Sequence, residues 1–316
     1  MTAFTRARMH LGVEIDGAGH HPAAAGRTGA DPRALSGVGH HLAMAMAARR
    51  GLDFVALPGG GETAALELAT RIGPVVSGID LLPAAPVTDV DDPTAALTAF
   101  AATSAGRVGW QPAPPGADQR WDEVARVVER VALRWSAPLR GSATPPLTVL
   151  RGDDPAALPV LARWADVVRI SAPGLDAAHE TRSRVRTAVA AAGRDPDDVA
   201  VLLDVEVHLA ADRHRARAEL ARLDAVRPAP ASSVRVLGPA GDLADLVGAA
   251  LRLGAADGIT LQPLVLPDDL RRVVDEAVPL LAGRGLLRSG WAGVLRRPGA
   301  GRDLVAAGAP WRQRSA

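Results

Sequence analysis

The 316-residue chain has no cysteine, tyrosine, lysine or asparagine, and it has only three phenylalanines. Without Cys there is no disulfide, no thiolate nucleophile and no thiolate metal site. Without Lys there is no Schiff-base catalysis and no Walker A loop. Without Tyr a common general acid is missing. A bias toward Ala, Arg, Gly and Pro, of the kind a GC-rich genome imposes, accounts for these gaps, and the chemical exclusions hold whatever their origin. Net charge is also scarce: 36 basic residues, all Arg, face 35 acidic ones, giving +1 at pH 7. The basic residues are scattered along the chain despite a sequence pI near 8.9, which argues against a nucleic-acid or membrane partner. No run of ~18 apolar residues suggests a membrane span. Arg6 and Arg8 precede only the short apolar stretch Leu11 to Ile15, too short for a signal sequence. A cytoplasmic protein is expected.

What the chain does have is alternation. Met9 to Ile15 reads as a first strand closed by Asp16-Gly17, and a Gly-rich loop with His20-His21 follows. Further strands are expected at Asp53 to Leu57, Val75 to Ile79, Arg107 to Gln111, Leu147 to Leu150, Val167 to Ile170 and Val199 to Leu209, with a last one ending near Gln262. Helices fall between them. The clearest is Trp121 to Trp135, with Val124, Val127, Val128, Val131 and Trp135 on one stripe and Asp122, Glu123, Arg126 and Glu129 opposite. About eight such units argue for one parallel (β/α)8 barrel of the TIM type, at a length that suits it. An open doubly wound sheet is the alternative, made less attractive by the lack of GxGxxG after the first strand. The barrel is expected over residues 1–290. The Arg-, Gly- and Pro-rich tail, 291–316, is expected to be loosely packed or disordered.

In a barrel of this kind chemistry sits on the loops that follow the strands. That rule selects Asp16, His20 and His21 after the first strand, Gly59 to Glu62 after the second and Asp80 after the third. It also selects Gln111, Arg151 to Asp154, Ser171 and Gln262 after later strands. Asp16, Asp80 and Gln262 become candidates for a substrate pocket. No metal is expected, because the pairs His20-His21 and His40-His41 have no ligand spacing that links them to each other or to a carboxylate.

The last third reads helix, Gly stop, buried strand, Pro-bounded loop and final helix, from Gly238-Pro239-Ala240-Gly241-Asp242 through Gly258-Ile259-Thr260-Leu261-Gln262-Pro263 to Val278-Pro279-Leu280-Leu281. In order and wording these pieces resemble the luciferase-like flavin monooxygenases, in the branch that includes nitrilotriacetate and dibenzothiophene-sulfone monooxygenases. The resemblance runs over roughly residues 9 to 297, with trimmed insertions at Pro112 to Gln119 and Asp224 to Leu237. It implies reduced FMN and oxygen acting on a small organic substrate, a flavin reductase as supplier, and a related barrel's deazaflavin as a second cofactor choice.

The resemblance also assigns roles. Gly19-His20-His21 is similar to a Gly-His-His stretch of that branch, so His20 or His21 would donate a proton or clamp the ligand. Ala25 and Gly26 stand where the family has Trp. Ser104 to Trp110 is similar to the family's entry into its fourth strand, where an Asn contacts flavin; here Gln111 replaces it, and Ser77 joins the expected cofactor contacts. Arg151 and Gly152 would sit near the flavin phosphate, in a loop whose family pattern is Gln-Ala-Gly-x-Ser-x-x-Gly. Only Gly152 matches that pattern, and Asp154 stands at the Ser position beside Asp153. Carboxylates there repel a phosphate but cap the helix that starts at Pro155. Two readings therefore follow. One is a flavin-dependent monooxygenase or oxidoreductase. The other is a barrel without flavin chemistry, acting as a binding or partner subunit. A homodimer through Leu42, Met44, Ala45, Met46 and Ala48 suits either.

Overall fold

Nine short runs of the chain form strands among the described residues: β1 (His10–Glu14), β2 (Phe54–Leu57), β3 (Asp80–Pro86), β4 (Gly109–Ala113), β5 (Leu147–Arg151), β6 (Val167–Ile170), β7 (Ala200–Leu209), β8 (Val234–Gly238) and β9 (Gly258–Pro263). The computed structural model describes residues 8–28, 31–59, 64–87, 93–104, 108–113, 121–136, 146–152 and 154–287. The expected tail 291–316, and with it Gly60 to Glu62, Arg107 and Asp153, lies outside them.

All strand pairings are parallel, and the sheet order β6-β5-β4-β3-β2-β1-β9-β7 closes through a β6–β7 pairing into an eight-stranded barrel. The (β/α)8 expectation therefore holds, and the open sheet is excluded. β8 stands outside the ring. Long β7 pairs with β6 through Ala200 to Leu203 and with β8 through Val205 to Leu209, so β8 takes over where β6 ends. The sequence reading treats this region as a Pro-rich connector, because Val234-Arg235-Val236-Leu237 is only half-buried and short.

Alternation along each strand divides the core into two. Side chains facing outward pack under the helices in one large apolar cluster. The helix Trp121–Ser136 contributes the expected stripe, with Val124, Val127, Val128, Val131 and Trp135 all buried. Glu123 is buried too, against the expectation that it faces water. Inward-facing residues at the amino-terminal end of the barrel make a separate small cluster of Phe54, Leu82, Val149, Val167, Ala200 and Leu202. Large residues fit there because their neighbours are glycines. A Cβ on Gly12 would lie 2.2 Å from the Phe54 ring, and one on Gly258 would lie 2.7 Å from Leu202 Cδ2.

The amino-terminal rim shows a repeated device. Asp53, Asp166 and Asp257 each stand one residue before a strand. Each accepts a backbone N–H from the start of the neighbouring strand: Leu11 at 2.9 Å, Thr148 at 2.8 Å and Val201 at 2.9 Å. Parallel ladders leave such N–H groups unpaired at the barrel bottom, and a buried unpaired donor is costly.

Two strand expectations shift. β3 begins at Asp80, not Val75. Val75 and Val76 instead complete the turn after the helix Ala65–Ile72, both donating to Ile72 O. The reading fails here because Pro83 and Pro86 lie inside the true strand, and proline argues against strands. β4 lies two residues later than expected, which keeps its inward parity. Replacing Gly12 with Ala forces Phe54 out of its place. The expected loss is about 1–3 kcal/mol, measured as a lower urea midpoint with an unchanged slope.

Candidate functional site at the carboxy-terminal end of the barrel

Above the apolar inner cluster, the inward positions turn polar. β1 supplies Glu14, β4 Gln111, β5 Arg151, β6 Arg169, β7 Asp204 and Glu206, and β9 Thr260 and Gln262. Arg169 lies at the centre with 1% of its surface exposed. Its Nε and Nη2 donate to Asp204 Oδ1 and Oδ2 at 2.9 and 3.0 Å, a bidentate pair. Its Nη1 reaches Glu14 Oε2 at 2.7 Å and Gln111 Oε1 at 2.8 Å. Arg151 donates to Asp204 Oδ2 at 3.0 Å and to Ser171 Oγ at 2.7 Å. Gln111 Nε2 donates to Leu82 O at 2.8 Å, and Gln262 Nε2 to Glu14 Oε1 at 3.1 Å. Glu206 is held by Ser232 N–H and Oγ at 2.7 Å and by Arg235 Nε at 2.5 Å.

The electrostatics are self-consistent. Burial alone would raise Glu14, but the charge and hydrogen bond of Arg169, then Arg151 and His20, outweigh it and hold Glu14 below its ordinary value. Burial works against the Arg169 cation too, and Asp204 and Glu14 more than offset it, so its pKa is raised. Glu206 is likewise lowered: burial opposes, and the hydrogen bonds from Ser232 and Arg235 win. Two groups in this layer lack hydrogen bonds. Gln262 Oε1 and Thr260 Oγ1 are buried and have no partner.

The loop after β1 forms one edge of the mouth. Asp16 keeps contact with solvent, yet desolvation by surrounding atoms, and then the Glu14 charge, raise its pKa. Gly19 has φ +127, and a Cβ there would meet Leu264 O at 2.4 Å, so the loop runs tight against the chain that follows β9. The two histidines of this loop separate. His20 is partly exposed, with Nε2 3.9 Å from Glu206 Oε1. His21 is buried. Its Nδ1 accepts Ala23 N–H at 3.1 Å, so Nε2 carries the proton toward Asp224 Oδ1 at 3.2 Å. His21 thus faces the loop's own support, while His20 faces the mouth. His40, from the second pair, touches Gly17 O at 2.7 Å.

The segment after β5 is tied to its own turn, to Trp121 and to β6. Asp154 Oδ1 accepts Ala156 N–H at 2.8 Å, and Oδ2 accepts Trp121 Nε1–H at 2.7 Å. The Trp121 bond first, then that of Ala156, hold the Asp154 carboxyl low. Gly152 N–H extends the ladder to Arg169 O at 2.7 Å, and a Cβ on Gly152 would come within 2.7 Å of Val168. Packing and capping therefore account for Gly152 and Asp154, two residues of the expected phosphate loop.

Several expected site residues are brought together and others are not. Gln111, Arg151 and Gln262 join one layer, with Asp16 and His20 at its rim. Ser77 and Asp80 do not join them. With β3 beginning at Asp80, both lie at the amino-terminal end, where Asp80 N–H donates to Asp53 O. This is a correction: a strand displaced by five residues puts its flanking loop at the wrong end of the barrel. The expected dimer face is partly spent on the barrel itself, since Ala45 and Ala48 are fully buried and Leu42, Met44 and Met46 pack against the core. Glu14, Arg169, Asp204 and Glu206 were not singled out from sequence. The signal was there in β7, where Asp204, Glu206 and His208 recur every second residue in an otherwise apolar strand.

Residues 119–261 match the family model of the luciferase-like monooxygenases. No curated protein sequence matches the chain. Among solved structures, EDTA monooxygenase (EmoA) from Chelativorans sp. BNC1 is 16% identical with a TM-score of 0.77, covering 91% of this chain and 96% of that one. Long-chain alkane monooxygenase (LadA) is 13% identical with a TM-score of 0.72, covering 89% and 92%. Coenzyme F420 dependent tetrahydromethanopterin reductase from Methanopyrus kandleri is 12% identical with a TM-score of 0.63, covering 87% and 100%. At these identities the likeness is one of fold.

Removing the Arg169 cation takes the ion-pair partner from Glu14 and leaves buried Asp204 with Arg151. Arg169→Met is expected to cost about 3–5 kcal/mol in urea unfolding. Because Glu14 and Glu206 are lowered, their stabilisation is present above the unfolded glutamate value of about 4.3 and is lost as pH falls through the lower folded values. Glu14→Gln should flatten part of that acid loss in a pH series of unfolding midpoints.

Proposed function

We propose, from the premise that this chain is a luciferase-like (β/α)8 barrel, that it is a flavin-dependent monooxygenase or oxidoreductase acting on a small organic substrate at the barrel mouth. The observation that supports this reading is the polar floor itself, a network of matched charges at the barrel mouth beside Gln262 Oε1 and Thr260 Oγ1, both buried and without a partner. Such a floor suits a planar ring with polar edges, which an apolar barrel interior would not. Reduced FMN with oxygen is the cofactor chemistry we assign, with a deazaflavin as the variant. When bound, the flavin supplies the redox chemistry and the protein supplies position and dryness.

The chain's own residues then divide the work. Arg169, fixed by Glu14, Asp204 and Gln111, holds the floor in one arrangement. Gln262 offers an acceptor to a ligand N–H or O–H. Arg151, anchored on Asp204 and Ser171, brings positive charge to the rim. His20 and Asp16 are the proton carriers within reach of the mouth, Asp16 with its acidity weakened by desolvation. A flavin reductase as supplier of reduced cofactor, a homodimer through the helix Val38–Ala48 and a cytoplasmic location belong to the same reading. No helix among the described residues is long and apolar enough to cross a membrane.

One part of FMN fits poorly. The turn at Pro155–Ala157 has its N–H of Ala156 taken by Asp154, whose negative charge would face a phosphate. This supports a cofactor held mainly by its ring, and it is also the observation that favours the second reading, a barrel without flavin chemistry serving as a binding or partner subunit. The test is an equilibrium fluorescence titration under nitrogen with FMN and riboflavin, each oxidised and dithionite-reduced. Micromolar binding of a reduced flavin is expected, with riboflavin held at least as well as FMN. Asp154→Asn should strengthen FMN by about threefold to tenfold and leave riboflavin unchanged. No binding of either flavin by the folded protein would leave the deazaflavin variant and, after it, the second reading.

A further inference from the structure

His208 is the next inward residue of β7 after Asp204 and Glu206, and its ring is almost fully buried. Its Nδ1 lies 3.1 and 3.2 Å from the two oxygens of Asp269, and its Nε2 lies 3.1 Å from Glu219 Oε2. Nothing in the flavin reading uses this triad. The two carboxylates belong to two different supports of the His20-His21 loop.

The first support is the chain after β9. His20 N–H donates to Pro263 O at 2.7 Å, His21 N–H to Leu264 O at 3.2 Å, and Leu266 N–H to Ala18 O at 2.6 Å. That chain is in turn pinned by Asp269, which is wholly buried and accepts Val265 N–H at 2.8 Å and Leu209 N–H at 2.9 Å. The second support is the helix Arg213–Val226, which holds the His21 ring through Asp224 and carries Glu219 one turn earlier. His208 is the link between the two supports.

We propose that His208, held as an imidazolium between Asp269 and Glu219, is the positioning residue that fixes the His20-His21 loop at the barrel mouth and makes its order depend on pH. The inference takes its functional meaning from the reading of the mouth as the ligand site. The physical reason is donor arithmetic. An imidazolium has two N–H groups and satisfies both carboxylates, whereas a neutral imidazole has one and turns a bare nitrogen toward the other. In a buried site a bare nitrogen facing a carboxylate is costly, so loss of the proton weakens the link between the two supports.

The surroundings favour the charged ring. Burial opposes it, but the hydrogen bond and charge of Asp269, then those of Glu219, outweigh burial and raise the His208 pKa. Glu219 is shared with Arg215 Nε at 3.0 Å and Arg27 Nη1 at 3.4 Å, and Arg27 also faces Asp268 at 3.6 Å. The adjoining cleft, about 320 Å³, brings Arg271, Arg272, Asp275 and Glu276 near the same ring. Histidine is the one side-chain type in this set whose ordinary titration lies near neutral pH. His40, which touches the loop from its other side at Gly17, has its pKa lowered, by burial first, so it titrates at lower pH than His208. For His208 the sign is fixed by the raised value. Its contribution is complete below the unfolded value of about 6.5 and is lost as pH rises through the folded value.

The experiment is amide hydrogen exchange followed by mass spectrometry on the cofactor-free protein from pH 5.5 to 9, corrected for the intrinsic rate. It reads peptides covering residues 17–24. In the wild type, protection of this loop is expected to fall at least about tenfold as pH rises past 6.5. Glu219→Gln, near the protein surface, keeps an acceptor but removes a charge, and should move the transition down by about one pH unit. His208→Gln should give weak protection with no transition. A flat wild-type profile, or a Glu219→Gln profile that overlays the wild type, would overturn the proposal. The measurement needs no flavin, so its failure and the failure of the flavin titration are separate results.

Discussion

The barrel is organised around one buried cation. Arg169 donates to groups on β1, β4 and β7 while standing on β6, so a single guanidinium spans the inside of the ring. A charge taken that far from water is tolerated only when its donors are matched, and here Asp204 matches it bidentately while Glu14 and Gln111 take the remaining edge. Arg151 brings a second cation to Asp204. The layer is close to neutral as a whole, which is why it can sit directly on the apolar cluster of Phe54, Leu82 and Leu202. A buried ion network is a weak source of stability, but it fixes geometry, because every member has one arrangement that leaves no charge unpaired.

That rigidity decides what the mouth can do. The floor offers a fixed acceptor at Gln262 and fixed charge at Arg151, and the rim offers His20 and Asp16. These floor groups are held by their own pairings, while the loop that carries His20 rests on supports further out, at Asp269 and Asp224. The same economy closes the turn after β5. Asp154 accepts from Ala156 and Trp121 together, so the start of that turn serves local structure.

Much of this architecture was legible in the chain. The alternation of short apolar runs with helices gave the barrel, and the rule that sites lie after strands picked Asp16, His20, Arg151 and Gln262. It misplaced Ser77 and Asp80 because two prolines hid β3, and it missed β8 because a half-exposed strand of five residues has no strong pattern. It passed over Arg169, since one charge inside Val167-Val168-Arg169-Ile170 looks like an exposed edge until the ring closes. The polar alternation in β7 was readable, yet period two says only that Asp204, Glu206 and His208 share a face, not that the face is the inside of a barrel.

The sequence by itself determined the fold class, the absence of thiol, lysine and tyrosine chemistry, and the self-capping of the turn at Asp154, because each of these is local or compositional. The meeting of Glu14 with Arg169 and Asp204, the separation of His20 from His21, and the linkage of His208 to two distant supports were decided only by the tertiary structure. These contacts join residues tens to hundreds of positions apart. Their partners are set by strand register and ring closure, and no spacing along the chain encodes those directly.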